Sequence, residues 1–402
     1  MTKLLLNLFL SFLTLGVTSV HAADVELSAG DRSHPVGTIF EIPAPPEVDV
    51  KIKTITLVND EGAQLIVQRD PSNPSRMLGI LDKVLPAHET RKYQITIDAA
   101  LEASTPQVEC LAKGKDYEIT VHGKPVLLYN AALKECLVEG FAECRRSGFI
   151  HPVYAPDGTI VSDDFPPEHP HQHGIMLAWV DSVFRGKPID FWNSMKQQGV
   201  VEHFAVVDML NGTVFGELNV ELKHSQIIAE NKSEPVLDES WRIRVFNSVD
   251  PHVIEVRSTL KCATEDPLHL NEYHYGGMAF RGARSWSFGK AAFLTSDGKD
   301  RESGNHTRPL WTAITGDVDD KSYTVAGMES AKNFRFPQPV RLHPDMPYFC
   351  WSPSVLGEFE IAPGKPFTSG YRFYVFNGGA DKGRLDDLQR EMAAPLVGKL
   401  LE

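Results

Sequence analysis

The chain has 402 residues, 42% of them apolar, with five cysteines and a formal net charge of −13. That length supports a hydrophobic core of normal size, and the acidic balance argues against nucleic acid or an anionic membrane surface as partner, since both select basic patches. None of the cysteines forms a C-x-x-C pair, which leaves a zinc ribbon or a thioredoxin-like motif without support.

At the N-terminus, Lys3 precedes an apolar run from Leu4 to Val17, and Val20-His21-Ala22 supplies small residues for cleavage. This is the pattern of a secretory signal peptide over residues 1–22, too short for a span of about 20 apolar residues. It predicts a protein that is periplasmic or secreted, starts at Ala23 or Asp24 and is free of the membrane after cleavage. Export permits disulfides, and Cys136 and Cys144 flank a segment short enough to close a small loop, although spacing alone does not fix a pairing.

Strand signals then recur between turn residues. They fall at Val25–Leu27, Val48–Leu57, Ala63–Val67 and Lys92–Ile97, with turns at Asp60-Glu61-Gly62 and from Asp70 to Pro74. The pattern lapses from Ala99 to Pro106, a weak boundary near residues 100–110. Lys115–Val121 and Val126–Tyr129, joined by His122-Gly123-Lys124-Pro125, read as a hairpin. After an apolar strand at Ile175–Val180, five strands are expected at His203–Asp208, Thr213–Leu222, Ile227–Asn231, Ser240–Asn247 and Val253–Lys261. The same rhythm returns from Ala291 to Ser330 and at Tyr371–Phe376. One helix is expected at the C-terminus, where Leu385, Leu388, Met392 and Leu396 follow helical spacing. No fixed-period repeat is present, which argues against a propeller or solenoid. The reading is a mostly β protein of large stacked antiparallel sheets with one C-terminal helix, residues 23–402 forming a single large β-sandwich domain.

Three segments carry residues suited to chemistry. The first, His151 to Trp192, holds His151, His169, His171 and His173 with Asp157, Asp163, Asp164 and Glu168, stiffened by Pro152, Pro156, Pro166, Pro167 and Pro170. If extended geometry starts ahead of Ile175, His169, His171 and His173 share one face. Such a cluster suits general acid–base work. It also suits a divalent metal, with His171 and His173 as the ligands, or simple hydrogen bonding to the loop. His151 and Tyr154 are candidate substrate-binding residues. The second segment, Asn271 to Gly282, places Tyr273, His274, Tyr275 and Arg281 around Gly276-Gly277. Arg281 can fork onto a ligand carboxylate or sugar hydroxyls, or pair with a structural carboxylate. The third, Phe334 to Pro353, combines aromatic residues with Arg341, His343 and Asp345, a mixture suited to sugar rings. There is no G-x-S-x-G elbow, Walker loop, G-x-G-x-x-G or H-E-x-x-H.

The run from His151 to Gly158, the run from Asp163 to His171, Gly174, and Asp190-Phe191-Trp192 together resemble the signature of a bacterial family of unknown function that carries the inherited label PmoA, "methane oxygenase". The resemblance covers most of the mature chain, including Tyr275 to Arg281 and the Phe336-Pro-Gln-Pro segment. It implies a large sandwich like that of galactose mutarotases and some polysaccharide lyases, and a role beside sugar-modifying enzymes. Relatives commonly read His-Pro-His-His-Arg-Gly; here His173 replaces the arginine and removes a permanent charge. The expectation is a carbohydrate-active protein with a small-molecule or oligosaccharide ligand, acting as a lyase or hydrolase through His169, His171 and His173. His151, Tyr154, Tyr275, Arg281, Arg341 and His343 would hold the substrate. The alternatives are a non-catalytic glycan-binding protein and, following the family label, a metal-dependent oxidase.

Overall fold

The computed structural model describes residues 20–97, 106–230 and 232–401. Most of the expected signal segment lies outside the described residues. Among the described residues only Arg301–Gly304 and Lys382–Ala393 are α-helical, and neither is long and apolar enough to cross a membrane. Strands in large antiparallel sheets make up the rest of the regular structure, as the alternation predicts. Among the described residues they fall into two compact units: one takes in 20–36, 40–97 and 397–401, while the other comprises Gly37–Ile39 and the described part of Pro106–Leu396.

In the first unit, Asn73–Ile80, Gln64–Asp70, Thr54–Val58, Thr90–Ile97, Val20–Ser28 and Lys399–Leu401 lie side by side. The strand expected at Val48–Leu57 begins only at Thr54. Ahead of it the backbone turns twice, with Val48 N–H bonding Pro45 O and Ile52 N–H bonding Asp49 O. Asp49 accepts from Lys51 N at 2.8 Å, and the Arg69 guanidinium gathers the carbonyls of Ile52 and Pro74. β-branched residues are thus overruled by side-chain bonds to the backbone.

The second unit contains two eight-stranded sheets. One runs Val340–Leu342, Tyr348–Trp351, Gly277–Arg281, Ile175–Ala178, Phe149–Val153, Lys124–Asn130, Asp116–Val121 and Val108–Lys113. Its expected hairpin is present, tightened to a two-residue turn in which His122 and Gly123 both have positive φ (49° and 73°), the geometry that matches strand twist. The other sheet is built on long strands, Gly199–Leu210, Phe215–Ala229, Lys232–Phe246 and His252–Cys262, followed by Phe367–Asn377. Here four strands replace the five expected. Ile227–Asn231 is no separate element, because Phe215–Ala229 runs on through register shifts at His224/Ser225 and Ile227/Ala229. Each shift inserts an unpaired residue and breaks the period-2 pattern.

The two sheets share a core rich in aromatic rings. Trp351 lies 5.8 Å from Phe373 and 4.6 Å from Tyr371, and Phe280 lies 6.4 Å from Phe373. Gly327 is required there, because a Cβ would come within 2.5 Å of the Trp351 ring. The C-terminal helix is capped by Asp381, buries Leu385 and stops at Ala393; Leu396 belongs to a strand beyond it. All five cysteines are free thiols, so Cys136 and Cys144 are not bridged.

The register of the first sheet decides what faces outward. Phe280 pairs with Ile175 and Phe349, and Phe349 with Leu342; this face packs on the second sheet. One residue along, Ala279 pairs with Met176 and Cys350, Cys350 with Arg341, and Arg281 with Tyr348. Since side chains alternate across a strand, Arg281, Arg341 and Tyr348 share the outer face, around the small residues Gly277 and Ala279.

Candidate functional site

The histidine-rich segment lies at the Arg281 end of this outer face. It is not extended before Ile175: His169 N–H bonds Pro166 O and Gln172 N–H bonds His169 O, two consecutive turns. The expectation that His169, His171 and His173 share a strand face therefore fails, because closely spaced prolines favour turns over a ladder. The turns send the three rings to two places. His173 turns inward, its Nδ1 2.5 Å from Asp164 Oδ1, between Phe149 at 4.5 Å and Phe165 at 4.7 Å. Burial moves His173 far down and Asp164 up to about 7, both toward an uncharged pair. His151 supports this inner group by bonding Ser162 Oγ at 2.8 Å and is pushed by burial down to about 4.

His169 and His171 turn toward the third sequence segment. The His169 ring stands 5.9 Å from His171 and 5.1 Å from His343. The Nδ1 atoms of His169 and His171 are enclosed and have no hydrogen-bond partner. Burial, then the neighbouring imidazoles, pushes His171 down to about 3. His343 is held down to about 3 by burial and by His169 and Arg341. His169 also falls below the usual imidazole value, through burial and then Arg281. All three are neutral at pH 7.

His343 is further constrained. Its Nδ1 accepts backbone N–H groups from Asp345 at 3.2 Å and Met346 at 3.0 Å. A nitrogen that accepts cannot carry the proton, so the proton sits on Nε2. His343 thus offers a fixed N–H donor on the side of the ring away from its own loop.

The two candidate arginines part company. Arg281 is fully buried and donates to Gln172 Oε1 at 3.0 Å, Glu168 Oε1 at 2.7 Å and Ser287 Oγ at 3.1 Å. It ties the histidine turns to the sheet and has taken the structural pairing left open by its sequence. Beside it Arg284 forks onto Asp163 at 3.1 and 2.9 Å. Arg341 makes no ion pair or hydrogen bond among the described residues, while its charge is felt at His343, His274 and Tyr348.

Aromatic rings adjoin the cluster, with Tyr273 and Tyr275 partly exposed and Trp192 and Tyr348 buried behind them. Trp192 lies 5.6 Å from Tyr275 and 5.7 Å from Tyr348, and Tyr273, His274 and Tyr275 are mutually within 5.1 Å. Asn193 holds the Tyr275 hydroxyl, and Asp190 holds Asn193 and Lys196. The fold therefore brings together His169, His171, Tyr275, Arg281, Arg341 and His343. Tyr154 lies elsewhere, its carbonyl accepting from His252. Trp192 and Tyr348 were not singled out from sequence; the strand alternation after Arg341 was the available signal for Tyr348.

A metal does not fit the expected ligands. His171 and His173, the expected pair, are turned to two different places, His171 toward His169 and His173 inward onto Asp164. Among the described residues no group of three or more His, Cys, Asp or Glu side chains is arranged to hold an ion.

The chain belongs to a family of unknown function (DUF6807), whose sequence model matches residues 116–390 and so includes every residue of this cluster. No curated protein matches the chain. Among solved structures it is similar to the Slr1438 protein from Synechocystis sp. PCC 6803, at 11% identity over 68% of this chain and 97% of that one, with a TM-score of 0.30. It is also similar to heparan sulfate lyase HepC from Pedobacter heparinus, at 10% identity over 69% of this chain and 38% of the lyase, with a TM-score of 0.30. A galactose mutarotase related enzyme from Lactobacillus acidophilus matches at 8% identity over 68% of this chain and 99% of its own, with a TM-score of 0.29.

Proposed function

We propose that this is an exported carbohydrate-active protein that holds a sugar against the outer sheet face, beside His169, His171 and His343. The observation that carries the reading is the meeting of three neutral imidazoles with the exposed or partly exposed rings of Tyr273, His274 and Tyr275, which are backed by the buried rings of Trp192 and Tyr348. Neutral imidazoles both donate and accept, as sugar hydroxyls require, and aromatic faces receive the apolar side of a sugar ring.

The catalytic form of this reading rests on His169. His171 and His343, near 3, are far from the range useful for proton transfer at neutral pH. His169 is only half-buried and less strongly shifted, which makes it the acid–base candidate, with lyase or hydrolase chemistry as the reaction class. A purely glycan-binding role is the second reading, favoured by the same low values at His171 and His343. Turnover and binding on a panel of oligosaccharides separate the two. The enzyme reading expects turnover that His169→Ala reduces by at least about 100-fold while leaving ligand affinity measurable. Binding without turnover, unchanged in His169→Ala, selects the glycan-binding role, and no interaction with any glycan overturns both. N-terminal sequencing of protein recovered from the producing cell tests export, which expects a start at Ala23 or Asp24.

A further inference from the structure

We infer that Arg341 and the Nε2–H of His343 form a subsite for the carboxylate of an acidic sugar. This deepens the carbohydrate reading and rests on it. Arg281 cannot serve, because it is fully buried and Glu168, Gln172 and Ser287 take its two terminal nitrogens. Arg341 is different. It is partly buried on the outer face, opposite Cys350 in the register, and no carboxylate among the described residues pairs with it. His343, His274 and Tyr348 feel its charge, and His306 bonds the carbonyl of His274 at 2.9 Å.

A partly desolvated guanidinium without a counter-ion is costly unless a ligand supplies one. Its planar fork matches a carboxylate. His343 adds a donor whose direction is fixed by the amides of Asp345 and Met346. Being neutral, it can sit beside Arg341 without charge repulsion, and it can bond a carboxylate oxygen or polarise it. A neutral sugar leaves Arg341 unpaired, so the site discriminates through the same imbalance.

The test is calorimetric titration of the purified protein with galacturonate, glucuronate, galactose, glucose and acetate, repeated with Arg341→Gln and Arg341→Lys. The uronates are expected to bind at least about tenfold more tightly than their neutral counterparts, the worth of one charge-assisted bond. Arg341→Gln should erase the preference, and Arg341→Lys should restore only part of it, since an ammonium does not fork. Thermal melts of both variants establish that they are folded. Equal binding of galactose and galacturonate, or a preference that survives in Arg341→Gln, overturns the subsite while the carbohydrate reading stands. Arg341-dependent binding of acetate with no sugar bound overturns the sugar assignment of both.

Discussion

Arg281 and Arg341 carry the same chemistry into opposite surroundings, and this sets different expectations for replacing them. Arg281→Ala leaves Glu168 without its partner beneath the histidine turns. Glu168 is itself partly exposed, so losing its charge-assisted bond together with the bonds to Gln172 and Ser287 should cost about 2–3 kcal/mol, read by urea denaturation; stability within about 1 kcal/mol of the parent would contradict the hub role. Arg341→Gln should be near neutral in the same assay, since it breaks no described contact. At His343 the fixed tautomer makes a spectroscopic prediction. With its value held down to about 3, the ring resonances of His343 should not move between pH 8 and pH 5 in nitrogen-15-labelled protein. A midpoint near the ordinary imidazole value of about 6.5 would remove the argument for a fixed donor.

At the scale of the element, two glycines test the backbone. Gly123 closes the His122-Gly123 hairpin at φ 73° with nothing within 4 Å of a built Cβ. Gly123→Ala therefore meets only the left-handed penalty, about 1–2 kcal/mol. Gly277, under the candidate site, has φ 101°, and a Cβ there would lie 2.5 Å from Trp351 O. Gly277→Ala adds a backbone clash to that strain and should lower stability by more than Gly123→Ala, by denaturation in urea; the reverse order would show that the outer face is not set by this close approach. Elements with unbroken alternation, such as His252–Cys262, which pairs on both sides without a register shift, were legible in the sequence. Those interrupted by bulges, such as Phe215–Ala229, or overruled by turns, such as Val48–Lys53, were not, because period-2 patterning carries no record of an inserted residue or of a side chain that captures a backbone group.

For the whole molecule, buried titrating groups set the pH range of stability. His171 and His343 are held down to about 3 and His151 to about 4 by burial. Below the ordinary imidazole value the unfolded chain binds more protons than the folded one. The stability these groups contribute is intact above about pH 6.5 and is lost as pH falls toward the folded values. Asp164 and Glu329, raised by burial to about 7, act in the other sense. Their contribution is present at pH values below the ordinary carboxylate range and is lost as pH rises through about 7. Stability should therefore peak near pH 6.5 and fall more steeply on the acid side. His151→Gln should flatten the acid limb in a urea series from pH 4 to pH 8, and an unchanged limb would mean that His151 is not titrating as its burial requires.

The sequence by itself determined the fold class, the antiparallel rhythm and the three segments rich in histidine, arginine and aromatic residues, because apolar periodicity and composition are local properties of the chain. Only the tertiary structure decided that His173 leaves the cluster while His343 joins His169 and His171. It also decided that Arg281 is paired with Glu168 while Arg341 is unpaired among the described residues. Those outcomes depend on which strands become neighbours: the Tyr348–Trp351 strand lies between Val340–Leu342 and Gly277–Arg281, and that register brings together residues more than 170 positions apart in sequence. Nothing in the spacing of either segment encodes the pairing, since it is fixed by burial of Phe280, Phe349 and Trp351 against the second sheet.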